Sequence, residues 1–337
     1  MCNTFKLHNM DLPEKISIGE CWARDGLQNE AKVVSTDDKV EIITRMVDAG
    51  CTIFEATSFA PPKYLPQFAD AEEVLKRIPR KPGLTYRAIC TTLRAVERAV
   101  KCKEAGYGVD EIAMVISTSE PHNEANVGMT HAENKKILEQ MVKLSLDTGH
   151  EVFGWALTSF GCPIRGDVAP GEAIAMGKWW KDIGAVTIGF GDTVGSANPI
   201  QVSRFYEYAL AEGFTKDEVV VHFHDTRGWG IANSLVALTF GFTRFDTSLG
   251  AIGGQPKTGA AGYNTGFSGN TCTEDLVGMF EEMGVSTGID IHKMIDAGHR
   301  AEQILERKLR SNFIDIGPVP HKGIVYDKKK GIVEVKG

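Results

Sequence analysis

Val219-Val220-Val221-His222-Phe223-His224-Asp225 is a β-branched run that stops abruptly in polar side chains. Alternation along a strand sends His222 and His224 to the same face, so the two imidazoles converge on one point. The run has seven counterparts. Working outward from it, short β-rich runs at Ile16–Glu20, Thr52–Thr57, Leu84–Cys90, Glu111–Ile116, Val152–Leu157, Ala185–Gly189 and Arg244–Leu249 alternate with longer amphipathic segments. Helices are expected over Thr36–Ala49, Ala69–Ile78, Leu93–Ala105, His131–Thr148, Pro170–Ile183, Pro199–Glu212 and Ile231–Phe240. Ser35-Thr36-Asp37 offers a helix N-cap, and Asn198-Pro199 places proline in a first turn.

Alternation of this kind makes a parallel sheet with crossover helices. Eight strand–helix pairs in about 250 residues is the size of a closed (β/α)8 TIM barrel, with its active site at the C-terminal ends of the strands. An open doubly wound sheet is the alternative that periodicity leaves standing. The expected layout is an N-terminal extension over 1–15, a TIM-barrel catalytic domain over 16–272, and a C-terminal helical extension and tail over 273–337. Gly284 and Gly288 break the helical segment Thr273–Leu309, and Asn312–Gly337 has no assignable pattern.

Composition excludes several classes. At 337 residues, 42% hydrophobic and 24% charged, the chain is ordinary globular material. Its net charge of −7 disfavours a nucleic-acid partner, and the basic run Lys328-Lys329-Lys330 reads as a solvated tail. No stretch nears the roughly 20 apolar residues of a membrane span. Met1 to Glu14 is polar rather than leader-like. Seven cysteines without a Cys-x-x-Cys pair suit reduced thiols, so a cytoplasmic enzyme is expected.

The polar residues gather at one end of the expected barrel. Arg24-Asp25 follows strand one, Glu55 ends strand two, Asp192 follows strand six, and His222 and His224 end strand seven. Two unrelated histidines would be the bland reading of His222 and His224. Asp25 tips the balance, because barrel closure brings an oxygen ligand near the two nitrogens. Two imidazoles, one carboxylate and open positions suit Mg²⁺, Mn²⁺ or Fe²⁺, with Mg²⁺ or Mn²⁺ preferred. Glu55 and Asp192 read either as general acid/base groups or as a salt bridge and a helix cap, and their clustering favours function. After the last strand runs a glycine-rich loop, Gly250 to Gly266, of about 17 residues, longer than connections run without a purpose.

Arg24-Asp25-Gly26-Leu27-Gln28-Asn29-Glu30, Glu55-Ala56-Thr57-Ser58-Phe59, Gly191-Asp192-Thr193-Val194-Gly195, His222-Phe223-His224-Asp225 and Gly269-Asn270 with Thr273-Glu274-Asp275 together closely resemble the 3-hydroxy-3-methylglutaryl-CoA lyases. The likeness runs in order from about Ile16 to His292. The wider family comprises metal-dependent lyases and Claisen-type synthases on TIM barrels, and Leu-Gln-Asn-Glu after Arg24-Asp25-Gly26 looks more like the lyases.

The resemblance implies that Asp25, His222, His224 and Asn270 hold one divalent cation and that Arg24 steadies an enolate carbonyl. It implies that Glu55 and Asp192 support proton transfer, with Gln28 of the first motif beside them. It further implies a small-molecule substrate, an acyl-CoA thioester or hydroxy acid, and a homodimer. The chain departs from the pattern at one point: the lyases carry a catalytic cysteine in Gly-Gly-Cys-Pro, and here the residues are Gly253-Gly254-Gln255-Pro256. A glutamine amide does not shuttle protons. Glu55, Asp192, Lys257 or Tyr263 would then take the acid role, and Cys162 in Gly161-Cys162-Pro163 matches a different family cysteine. Three functions compete: a lyase or aldolase for a related substrate, a Claisen-type synthase, and an acyl-CoA-binding barrel without turnover.

Overall fold

The computed structural model describes residues 11–254 and 269–320, with the backbone of 324–327 and 331–334. Eight parallel strands run in sequence order around a closed barrel: β1 (Ser17–Glu20), β2 (Ile53–Ser58), β3 (Thr85–Ile89), β4 (Glu111–Ser117), β5 (Glu151–Leu157), β6 (Thr187–Asp192), β7 (Val219–Phe223) and β8 (Arg244–Thr247). Closure is made by β1 against β8, from Ser17 beside Arg244 to Glu20 beside Thr247. That pairing excludes the open sheet.

The helices between strands start and stop where local chemistry dictates. In α1 (Thr36–Ala49) the Ser35 hydroxyl accepts from the Asp38 N–H at 3.1 Å, and Gly50 ends the helix at φ 106°, a left-handed value suited to glycine. Next come α2 (Ala71–Arg77), α3 (Leu93–Glu104), α4 (Glu120–Val127) and α5 (His131–Asp147), the last opened by a Thr130–Glu133 capping box. The ring continues with α6 (Pro170–Asp182), α7 (Pro199–Ala211) and α8 (Gly230–Thr239). The Asn198 side chain caps α7 by accepting from the Ile200 and Gln201 N–H groups.

Beyond β8, α9 (Thr273–Glu282) packs Phe280 against Phe245 of β8, with ring centroids 5.4 Å apart. The next helix, α10 (Ile291–Leu305), lies along α1, where Arg300 pairs with Glu41 at 2.9 Å, and a short α11 (Asn312–Ile316) follows. Residues left without a pattern form a two-stranded antiparallel hairpin, β9 (Ile324–Asp327) and β10 (Gly331–Glu334).

Three differences from the sequence expectation bear on the site. Glu55 lies inside β2 rather than at its end, with an irregularity in the β2–β3 register between Glu55 and Thr57. Asp192 is the last residue of β6, because Phe190, Gly191 and Asp192 still pair with β7. The two glycines at 189 and 191 are what shorten that strand in a propensity reading. Between β1 and α1 the chain makes a π-helical turn, Trp22–Gly26, in which the Gly26 N–H reaches the Cys21 carbonyl at 3.0 Å.

The barrel interior holds an apolar group of Ile89, Ala113, Phe153, Trp155 and Val220. Arg87 is buried beside it, bonded to Asp246 and facing Glu111. The larger core lies between strands and helices.

Candidate metal centre and active site

Strand β7 and the residue just past its end carry the first two candidate ligands. His222 and His224 point the same way, and their Nε2 atoms lie 3.0 Å apart. Adjacent corners of an octahedron with bonds of about 2.1 Å are separated by about that distance. The two nitrogens therefore stand as neighbouring ligands of one ion would. Burial, then the neighbouring His222, pushes the His224 imidazole down to about 3, so it is neutral, as a ligand must be.

Asp25 comes from the π-helical turn after β1, and its Oδ2 stands 3.7 Å from His224 Nε2. Burial pushes this carboxyl up, but Arg24, His224, His222 and the Asn270 amide outweigh burial and hold it below the ordinary range. Asn270 arrives from the far end of the β8 loop and donates from Nδ2 to Asp25 Oδ2 at 2.6 Å and to the Ile252 carbonyl at 3.0 Å. Its Oδ1 is buried and has no hydrogen-bond partner. An orphaned carbonyl oxygen together with two imidazoles and a carboxylate is a donor set a divalent cation takes. A side chain at Gly253 would not fit here, since a Cβ would lie 2.5 Å from Asn270 Nδ2 and 2.8 Å from the Asp25 carbonyl.

Arg24 lies beside this group. Its Nε pairs with Glu55 Oε1, its Nη1 donates to Asp25 Oδ1 at 2.9 Å, and Gln28 Oε1 accepts from Nη1 at 3.4 Å. Burial works against the guanidinium charge, yet Glu55 and Asp25 more than restore it, so it stays cationic. Glu55 is wholly enclosed and also accepts from the Cys21 thiol at 3.6 Å. Cys21, Glu55 and Asp246 form a second tight buried group, but Arg24 and Arg87 already neutralise its carboxylates.

Asp192 is enclosed too, and burial pushes it up to about 6. Its oxygens accept from the Ser196 N–H at 2.8 Å and the Ala197 N–H at 3.2 Å, so it secures the turn after β6. Cys162 is turned away from the metal-site residues, its sulfur accepting from the Arg165 N–H at 3.2 Å in the turn after β5. It lines a cavity of about 440 Å³ with Ser196 and Arg227, in which no metal-site residue takes part. Gln255, Lys257 and Tyr263 lie outside the described residues.

Sequence reasoning passed over the side chains that support His222. Trp155 meets its ring edge-on at 5.1 Å, and Asp246 Oδ2 stands 3.9 Å from its Nδ1. Asp246 is itself gripped by Arg87 at 2.8 Å. The available signal was a charged residue in the middle of an otherwise apolar strand run, at Arg87 and at Asp246.

The HMGL-like family model matches residues 15–300. The chain belongs to the HMGL-like family. The hydroxymethylglutaryl-CoA lyase of Bacillus subtilis (strain 168) is 36% identical over 307 residues, 91% of this chain and 99% of its own length. The human mitochondrial hydroxymethylglutaryl-CoA lyase is 34% identical over 300 residues, 89% of each chain. Among solved structures, an HMG-CoA lyase from Acinetobacter baumannii in complex with coenzyme A and 3-methylmalate superposes with a TM-score of 0.84 at 34% identity, covering 92% of this chain and 98% of that one. Among the described residues no helix is long and apolar enough to cross a membrane.

Proposed function

We propose that this member of the HMGL-like family is a divalent-metal-dependent carbon–carbon lyase that cleaves 3-hydroxy-3-methylglutaryl-CoA, or a close 3-hydroxyacyl-CoA, to acetyl-CoA and an oxo acid. The observation that carries the reading is the buried convergence of Asp25, His222 and His224, with the Asn270 amide bonded to Asp25 and its Oδ1 left without a hydrogen-bond partner. Those four residues would hold the ion through two nitrogens and two oxygens, with Mg²⁺ or Mn²⁺ preferred. When bound, the cation would chelate the substrate hydroxyl and a neighbouring oxygen and lower the cost of ionising that hydroxyl.

The remaining work falls to the chain's own groups. Once one of the buried carboxylates, Asp192 or Glu55, has taken the hydroxyl proton, the oxygen becomes the ketone carbonyl and the C2–C3 electron pair passes to the departing acetyl-CoA as an enolate. Arg24, kept cationic by Glu55 and Asp25, stabilises the charge on the thioester oxygen. Gln28 accepts from the same Nη1 that donates to Asp25. Protonating the enolate carbon completes the reaction, and Asp192 and Glu55 are the buried carboxyl groups at hand for proton transfer. Six buried free thiols among the described residues support a cytoplasmic enzyme, and the pairing common among these barrels supports a homodimer.

Gln255 in place of the lyases' loop cysteine favours a second reading, in which the acyl group differs from hydroxymethylglutaryl. Acetyl-CoA release from 3-hydroxy-3-methylglutaryl-CoA with Mg²⁺ or Mn²⁺, beside an EDTA-treated control, separates the two. Metal-dependent release at an enzymatic rate supports the first reading. No release from metal-loaded protein moves the substrate to a related hydroxyacyl thioester, and full release from metal-free protein refutes both.

A further inference from the structure

We infer that Glu20, the last residue of β1, is a positioning residue that ties together the turn carrying Arg24 and Asp25, the chain leaving β8, and the segment carrying Asn270. The inference rests on the metal-site reading above. Glu20 is 1% exposed, and each of its bonds goes to a different segment. Oε1 accepts from the Trp22 N–H at 2.8 Å, at the opening of the π-helical turn that carries Arg24 and Asp25. The same oxygen accepts from the Leu249 N–H at 3.0 Å, where the chain leaves β8 toward Gly253 and Gly254. Oε2 accepts from the Thr273 hydroxyl at 2.6 Å, just beyond Asn270 where α9 begins.

The turn that carries Arg24 and Asp25 is short and irregular and lacks the ladder bonds of β7, whereas Asn270 is bridged to His224 by its backbone. The Trp22 N–H is one of the donors that a helical start leaves unsatisfied. The 2.6 Å contact between Asp25 and Asn270 joins residues 245 positions apart. One carboxyl group therefore links the turn that carries Asp25 to the segment just beyond Asn270.

Glu20's hydrogen-bond partners are two backbone N–H groups and a hydroxyl. None is a cation. Shape and acceptor placement, rather than charge, are what the segments require. A glutamine satisfies the same pattern: its carbonyl oxygen takes the two N–H groups, and its amide donates to Thr273 Oγ1, which turns its own proton to Thr247 Oγ1, 2.7 Å away. A methionine of similar length satisfies none of it and strands two buried N–H groups.

The test compares Glu20→Gln, Glu20→Met and Thr273→Val in the full-length protein, reading Mn²⁺ affinity by calorimetry without substrate, together with kcat, KM and thermal stability. Glu20→Met is expected to weaken Mn²⁺ binding by about 10- to 100-fold, and to lower kcat by about 10²-fold with a smaller change in KM. Glu20→Gln is expected to stay close to the wild type in all readouts, and Thr273→Val to shift Mn²⁺ affinity and kcat in the same direction as Glu20→Met but less. A folded Glu20→Met with wild-type Mn²⁺ affinity overturns the inference, as does a Glu20→Gln as damaging as Glu20→Met. Should Glu20→Met not fold, Thr273→Val decides, and an unchanged Mn²⁺ affinity there overturns it. Wild-type protein that binds no Mn²⁺ refutes the metal-site reading and this inference together, whereas the variant outcomes refute the inference alone.

Discussion

The two halves of the candidate metal centre are built differently. His222 sits within β7 and His224 just past its end, and the regular pleat aims both imidazoles at one point. Asp25 comes instead from a π-helical turn, and Asn270 from the far end of a long loop, where a backbone bridge to His224 seats it beside the end of β7. A pair of ligands spaced two residues apart on one strand needs only the strand. Ligands carried on irregular turns need a supporting set of acceptors, here Glu20 and Glu274, buried beneath the β8 turn.

This comparison can be broken by removing one ligand from each half. His222→Ala is expected to lose Mn²⁺ binding and activity altogether. Asp25→Asn is expected to do the same with little loss of fold, because the amide keeps the side chain's shape while losing its charge. Calorimetry with Mn²⁺ checks both, and near-wild-type affinity in either variant would detach that residue from the centre.

Arg24→Gln sharpens the irregular half. It leaves the four ligands in place and removes the charge that faces the departing enolate, so kcat should fall by about 10² to 10³-fold. Steady-state kinetics at saturating Mn²⁺ measure it, and a loss confined to KM would reassign Arg24 to ground-state binding.

On the regular half, Asp246→Asn tests whether a strand alone suffices. The Arg87-bound carboxylate near His222 Nδ1 is the candidate partner for that ring nitrogen, and its loss should weaken Mn²⁺ affinity by about 10- to 100-fold. Unchanged affinity would show that pleat and packing against Trp155 fix the ring without it.

How far the sequence reaches follows the same division. The eight alternations, the α1 and α7 caps and the His222/His224 pair were legible because each rests on local periodicity or on one capping residue. Asp25 was legible through its place after strand one, and Asn270 only through resemblance, since nothing local marks it. The roles of Glu20, Asp246 and Gly253 were not legible. Their partners lie far along the chain, at Thr273, Arg87 and Asn270, and only closure of β1 against β8 brings those together.

The smallest effect concerns the support under the β8 turn. Burial pushes Glu274 up to about 8 and Glu20 up to about 7, both from 4.5. Between those limits the folded chain holds protons that the unfolded chain has released. Stability contributed by these groups is present below about pH 4.5 and is lost as pH rises through the folded values. Glu274→Gln should therefore flatten the fall in urea stability between pH of about 5 and about 8. An unchanged slope would mean that Glu274 is ionised in the folded protein.

The central claim is that one divalent cation is held by Asp25, His222, His224 and Asn270. Anomalous diffraction at the manganese edge from crystals soaked in Mn²⁺ tests it most directly. The account predicts a single strong peak bounded by Asp25 Oδ2, His222 Nε2, His224 Nε2 and Asn270 Oδ1. A peak elsewhere in the barrel, or none there in crystals of protein that turns over substrate, would contradict it.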